Sequence, residues 1–127
     1  MRMPRLTTKR WVTAIAVTTF LLGWIVWRIQ IPGRPFDPVA WQDSARVQQG
    51  VRLEMADRLV ACGKLEGKTR QHVIELLGKP SDEGYFREFD LVYWLGPERG
   101  LISIDSEWLV LRLGEDDRVI ECRIVLD

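Results

Sequence analysis

The side chains that could do chemistry are few. His72 and Glu75 stand three residues apart, an H-x-x-E spacing that sets both on one helical face as a metal site needs. Two ligands do not make a zinc site, and a solvated surface histidine is the expected reading. Asp105, Glu107, Glu115, Asp116 and Asp117 invite a search for paired catalytic carboxylates or calcium ligands. The Glu115-Asp116-Asp117 run falls in a hairpin turn, where such residues serve the backbone, and the EF-hand spacing is absent. No G-x-S-x-G, P-loop, H-E-x-x-H or dinucleotide fingerprint occurs. The chain is therefore read as non-enzymatic, with no catalytic residue, metal or cofactor expected.

Cys62 and Cys122 each fall in an apolar stripe aimed at one core, the first after Met55 and Leu59, the second between Ile120 and Ile124. In an exported domain such a pair can oxidise, and a bridge closing about 60 residues would stabilise by about 4 kcal/mol. A disulfide and two buried thiols both remain open as readings.

The elements that position these residues follow from pattern. From Val39 to Cys62 apolar residues recur at helical spacing, with Asp37 as cap, Pro38 in the first turn, Gly50 weakening the middle and Gly63 stopping the helix. Thr69 caps a second helix that buries Val73, Ile74, Leu76 and Leu77 and ends at Gly78 and Pro80. The chain then changes to period two. Tyr85–Leu95 reads as a strand with Phe89, Leu91, Tyr93 and Leu95 on one face and Phe86, Val92 and Trp94 on the other. Glu107–Leu113 and Arg118–Leu126 follow, the last with Ile120, Cys122, Ile124 and Leu126 toward the core. The expected fold is α+β, two helices packed on one face of a three-stranded antiparallel sheet.

That fold leaves the other sheet face to Val92, Trp94, Trp108, Val110, Val119 and Val125, with Glu88, Asp90, Arg112, Glu121 and Arg123 around them. A Trp-rich patch rimmed by charge is how a partner surface is built, and Val92, Trp94, Trp108, Val110, Arg112 and Arg123 are its candidate residues. The competing expectation is that the 97–105 loop, with Leu101, Ile102 and Ile104, folds over the patch.

The head of the chain speaks to location. The 127 residues carry 18 Lys+Arg against 18 Asp+Glu, yet residues 1–34 hold six positive and no acidic residue, leaving 12 − 18 = −6 for residues 35–127. An acidic body would repel phosphates, so no nucleic-acid partner is expected. A 46% hydrophobic content with six Trp excludes a disordered chain. Seventeen uncharged residues lie between Arg10 and Arg28, with Trp11 at one end and Trp24 and Trp27 at the other. They are read as a transmembrane signal anchor over residues 11–31, embedded in the lipid bilayer, at the short end of the spanning range. A secretory signal peptide needs small residues just past the apolar core, and Trp27–Pro32 offers none. The reading divides the chain into a basic cytoplasmic segment 1–10, the anchor 11–31, a Pro-rich linker 32–38 and an extracytoplasmic domain 39–127.

The run Leu65-Glu66-Gly67-Lys68-Thr69-Arg70-Gln71-His72-Val73-Ile74-Glu75-Leu76-Leu77-Gly78-Lys79-Pro80 resembles the L-x-G-x-T-x-x-x-V-x-x-L-L-G-x-P signature of the SmpA/OmlA, or BamE-like, envelope domains. Tyr93-Trp94-Leu95-Gly96 is similar to their strand-ending Y-x-L-G, and the likeness covers roughly residues 52–127. The resemblance implies a helix–helix–three-strand domain of the kind seen in β-lactamase-inhibitory protein, working by binding partners, and points to an envelope protein partner. The best-known relatives are lipoproteins that assist β-barrel assembly; here an apolar segment stands in place of their lipid-bearing Cys, and no Cys precedes Cys62. Three roles follow as expectations: support of an envelope complex, inhibition or regulation of an exported enzyme, or a structural spacer.

Overall fold

The computed structural model describes residues 8–29, 31–82 and 84–127, with side chains in the first helix described from Thr13 to Val26. The chain divides into two compact units, Met1–Pro32 and Gly33–Asp127. In the first, α1 runs from Thr8 to Ile29. Its described apolar side chains, Phe20 and Leu22 among them, are exposed within that unit. The Thr18 and Thr19 hydroxyls donate back to the carbonyls of Ala14 and Ile15 at 2.8 Å. Among the described residues no helix is long and apolar enough to cross a membrane. The ends of the expected span, at side chains 11–12 and 27–30, and the basic residues of 1–7 lie outside the described residues.

The second unit is α+β, with a three-stranded antiparallel sheet in the order β1-β2-β3. The helix expected over 39–62 is three: α2 (Pro38–Gln42), α3 (Ser44–Gln48) and α4 (Val51–Ala61). Asp43 makes the first break, because its side chain accepts from Ala45 N and Arg46 N and so caps a new helix inside the apolar pattern. Gly50 makes the second with φ +85°, a left-handed turn that re-aims α4. Asp37 caps α2 with Pro38 in its first turn, and Thr69 accepts from His72 N to cap α5 (Arg70–Leu77), both as the sequence predicts. The start of the linker is docked rather than free: Arg34 N donates to Glu54 O at 2.7 Å.

β1 (Leu91–Pro97) starts later than its pattern suggests, and β2 (Ser106–Leu113) and β3 (Val119–Leu126) lie within a residue of expectation. Leu91, Tyr93, Leu95, Leu109 and Leu111 face the helices and meet Trp41, Met55, Leu59, Leu65, Val73 and Leu77 in the main core. Tyr93 Oη reaches across to donate to Gly78 O at 3.0 Å, and burial pushes its pKa up to about 12.

Two irregularities redirect side chains. The β2–β3 register shifts between Arg112 and Leu113, which pair with Glu121 and Val119, so Ile120 is an extra residue. That bulge exposes Ile120 and buries Val119 in the main core, reversing the faces expected for both. Leu126, also expected inward, is half exposed at the strand end. The β1–β2 register shifts between Trp94 and Gly96. Gly96 has φ +152°, and a Cβ there would meet Leu53 Cδ1 at 2.6 Å. Gly96→Ala is expected to lower stability by about 1–3 kcal/mol in urea unfolding. Leu53→Ala in the same background should relieve the contact but leave the backbone strain, so the two costs will fall short of additive.

Candidate interaction surface

The outer face of the sheet is closed by its own chain. Val110 is fully buried and Val92 and Trp108 are each 6% exposed, together with Phe89, in a second apolar cluster. The expectation of an open patch at Val92, Trp108 and Val110 is thereby corrected. The cover is the segment before β1. Residues expected to extend that strand, 85–90, instead form turns, and they lay Phe86 and Phe89 over the sheet. Phe86 packs on Trp108 with ring centroids 5.9 Å apart. Phe89, expected on the helix side, belongs to this outer cluster.

Arg112 and Arg123, the expected rim, hold the cover down: their guanidinium carbons lie 5.1 and 5.2 Å from the Phe89 ring centre. Glu121 lies between them, 3.3 Å from Arg112 Nε and 3.2 Å from Arg123 Nε, though the first contact lacks hydrogen-bond geometry. Trp108 Nε1 donates to Asp127 Oδ2 at 3.1 Å. Ser106 N donates to the other oxygen at 2.7 Å, and these bonds hold the Asp127 carboxyl below its ordinary range. Trp94 and Val125 are half-buried at the cluster's edge.

The 97–105 loop does not supply that cover. Leu101, Ile102 and Ile104 are 106%, 75% and 84% exposed. The base of the loop is nonetheless fixed. Arg99 donates to Asp57 Oδ2 and Oδ1 at 2.6 and 3.1 Å and to Glu107 Oε2 and Oε1 at 2.7 and 2.9 Å. Its own N–H adds a bond to Glu107 Oε1 at 3.0 Å. Glu107 is the buried charged residue among those described, at 6% exposure, and the Arg99 hydrogen bonds hold its carboxyl below the usual carboxylate range. Ser103 Oγ donates to Glu98 O and Glu98 N to Asp105 O, both at 2.9 Å, closing the loop on itself. Three aliphatic side chains are thus presented on a fixed base.

Sequence reasoning grouped Glu107 with the carboxylates that invite a search for catalytic pairs or calcium ligands, and passed over Arg99 and Asp57. The available signal was position: Glu107 opens a strand at a register where its neighbours are apolar, so an ionised side chain there needs a partner. Of the other singled-out residues, Asp105 lies in the loop and the rest stand apart from it. His72 and Glu75 are exposed on α5, where Glu75 Oε1 accepts from Gln71 at 3.2 Å. Asp117 pairs with Arg70 at 3.0 Å, tying the β2–β3 turn to α5, and Asp116 pairs with Arg118 at 3.8 Å within the turn. No group of three or more His, Cys, Asp or Glu among the described residues could hold a metal ion.

Cys62 and Cys122 are free thiols, and the core pairing read from their stripes is corrected. α4 ends at Ala61, so Cys62 becomes the C-cap and turns outward. Cys122 is half-buried against the core, and burial pushes its thiol up to about 12. Native alkylation at pH 8 should therefore label Cys62 within minutes and Cys122 only after denaturation, read by intact mass. Equal labelling rates would contradict this placement.

A shallow groove of about 260 Å³ lies on the helix side, lined by Phe36, Pro38, Leu59, Leu65 and Leu76 with Lys64, Lys68 and His72 at its edges. Comparison of the chain with family models, curated proteins and solved structures finds no match.

Proposed function

We propose that the chain is a non-enzymatic, membrane-anchored, extracytoplasmic protein-interaction module that supports an envelope complex. The observation that carries this reading is the presentation of Leu101, Ile102 and Ile104 on a loop whose base is fixed by Arg99, Asp57 and Glu107. Exposed aliphatic side chains on a rigid base bind with little ordering cost, which is what a contact element requires. Trp94, Arg112 and Arg123 at the edge of the outer face offer a secondary contact area. The SmpA/OmlA likeness of residues 65–80 and 93–96 adds an envelope setting to the proposal.

The anchor at residues 11–31 belongs to the same proposal. It is supported by seventeen consecutive uncharged residues and by threonine hydroxyls that bond within α1 rather than needing water. The excess of positive residues before it orients the N-terminus to the cytoplasm and the acidic body outside. An alkaline phosphatase fusion after Asp127 should be active; an inactive fusion overturns export.

A photo-crosslinker placed at Ile102 in intact membranes tests the contact element itself. A reproducible adduct, lost on Leu101→Ser with Ile104→Ser while folding is retained, supports the reading. Capture of a single exported enzyme at equal stoichiometry turns it into an inhibitor or regulator. No adduct leaves a structural spacer.

A further inference from the structure

We propose that the exposed loop docks into the groove of a second copy of this chain, giving head-to-tail association. The inference rests on the reading of the loop as a contact element and names its partner. The groove walls are aliphatic and aromatic, and Lys64 and Lys68 at its edge make no ion pair among the described residues. It is an unneutralised cationic spot on a body of net charge −6, so it calls for an apolar insert flanked by carboxylates. At about 260 Å³ it is smaller than the roughly 300–1,000 Å³ of small-molecule pockets, a size that suits a few inserted side chains.

The loop has the complementary chemistry. Leu101, Ile102 and Ile104 stand between Glu98 and Asp105, whose carboxylates make no ion pair among the described residues either. The loop cannot satisfy its own groove. It joins β1 to β2 at one end of the sheet, whereas Lys68 is fixed at the other end by Val119 N donating to Lys68 O at 2.9 Å. The eight residues of β2 separate the two ends by about 26 Å. Loop and groove are different patches, so each copy keeps one of each free and the contact propagates.

The full chain in detergent carries its own reporter. Cys62 is an exposed thiol two residues before Lys64, and Gly100, beside Leu101, has open space for a side chain. With Gly100→Cys, a short bis-maleimide should link the introduced thiol to Cys62 of the next copy and give a ladder of dimers, trimers and higher species. The ladder should disappear on adding Cys62→Ser. It should fall at least tenfold with Lys64→Glu and Lys68→Glu, and return when Glu98→Lys and Asp105→Lys are added, which shows that the charge variants fold. Absence of a ladder, or dimers that survive Cys62→Ser, overturns the proposal. If the Ile102 photo-adduct is a different protein, the second copy is excluded while the contact reading stands; if there is no adduct at all, both fail.

Discussion

Trp41→Ala is expected to cost about 3–5 kcal/mol, enough to leave the Gly33–Asp127 unit partly unfolded at 25 °C. Trp41 is fully buried on a helix of only five residues, which has too few internal hydrogen bonds to persist alone. Its ring is the contact that docks α2. Phe36 meets it edge-on with centroids 5.7 Å apart, and the Arg52 guanidinium lies 5.3 Å from its centre. Arg52 also donates to Trp41 O at 3.0 Å and to Trp94 O at 2.9 Å, so it ties the helix to the sheet through the same residue. Burial lowers the Arg52 pKa. Trp41→Phe is the informative control. The indole Nε1 has no hydrogen-bond partner among the described residues, so Phe removes an unsatisfied donor while keeping most of the apolar volume. It should fall within about 1 kcal/mol of the parent, and urea midpoints of the two variants separate packing from polarity. Equal losses for Phe and Ala would mean that a single ring cannot fill the site and that the full bicyclic volume of the indole is what holds α2.

The parts of the fold legible in the sequence are those where local chemistry and tertiary packing agree. Thr69 and Gly78 bound α5 because capping and left-handed turns are set by the residues themselves, and β2 carries an unbroken apolar run from Trp108 to Leu111 because both of its faces are covered. What was not legible depends on a competition that pattern does not display. Apolar spacing across 39–62 is helical throughout, yet the Asp43 carboxylate outbids the continuing helix for two backbone donors. The alternation of 118–126 carries no sign of the bulge at Ile120, since a single extra residue flips every assignment before it. The candidate site suffered most. Phe86 and Phe89 fit a strand by period, but in turns they pack over the outer cluster and close the face that Val92, Trp108 and Val110 would have exposed. The loop expected to cover the face is left outside, held at its base by Arg99 with Glu107 eight residues on and Asp57 far back in the chain, a charged pairing that periodicity does not display.

Arg99→Met should lower stability by about 2–3 kcal/mol near pH 7 and release the loop. The magnitude follows from charge-assisted hydrogen bonds, reduced because the Arg99 and Asp57 side chains are 42% and 37% exposed. Most of the loss arises at Glu107, whose side chain is 8% exposed and would keep its charge with no cationic partner. The pH dependence makes this specific. In the parent, Arg99 hydrogen bonds hold the Glu107 carboxyl below its ordinary value of 4.5. A depressed native pKa contributes stability that is present above the unfolded value and is lost as pH falls from about 5 through the native pKa. In the variant the backbone N–H of residue 99 still donates to Glu107, but the side-chain hydrogen bonds are gone while desolvation and the Asp57 charge continue to raise the carboxyl pKa, so protonation relieves the buried charge. The gap between parent and Arg99→Met should therefore be widest at neutral pH and narrow as pH falls below the ordinary carboxyl value toward the depressed native one. Glu107→Gln removes the buried charge itself, so the Arg99→Met/Glu107→Gln double variant should recover stability relative to Arg99→Met alone. A pH-independent gap would assign the loss to packing of the arginine stem rather than to the ion pair. The same variants connect the clamp to binding: if fixing the loop base lowers the ordering cost of contact, Arg99→Met should weaken the Ile102 adduct even at a pH where the domain remains folded.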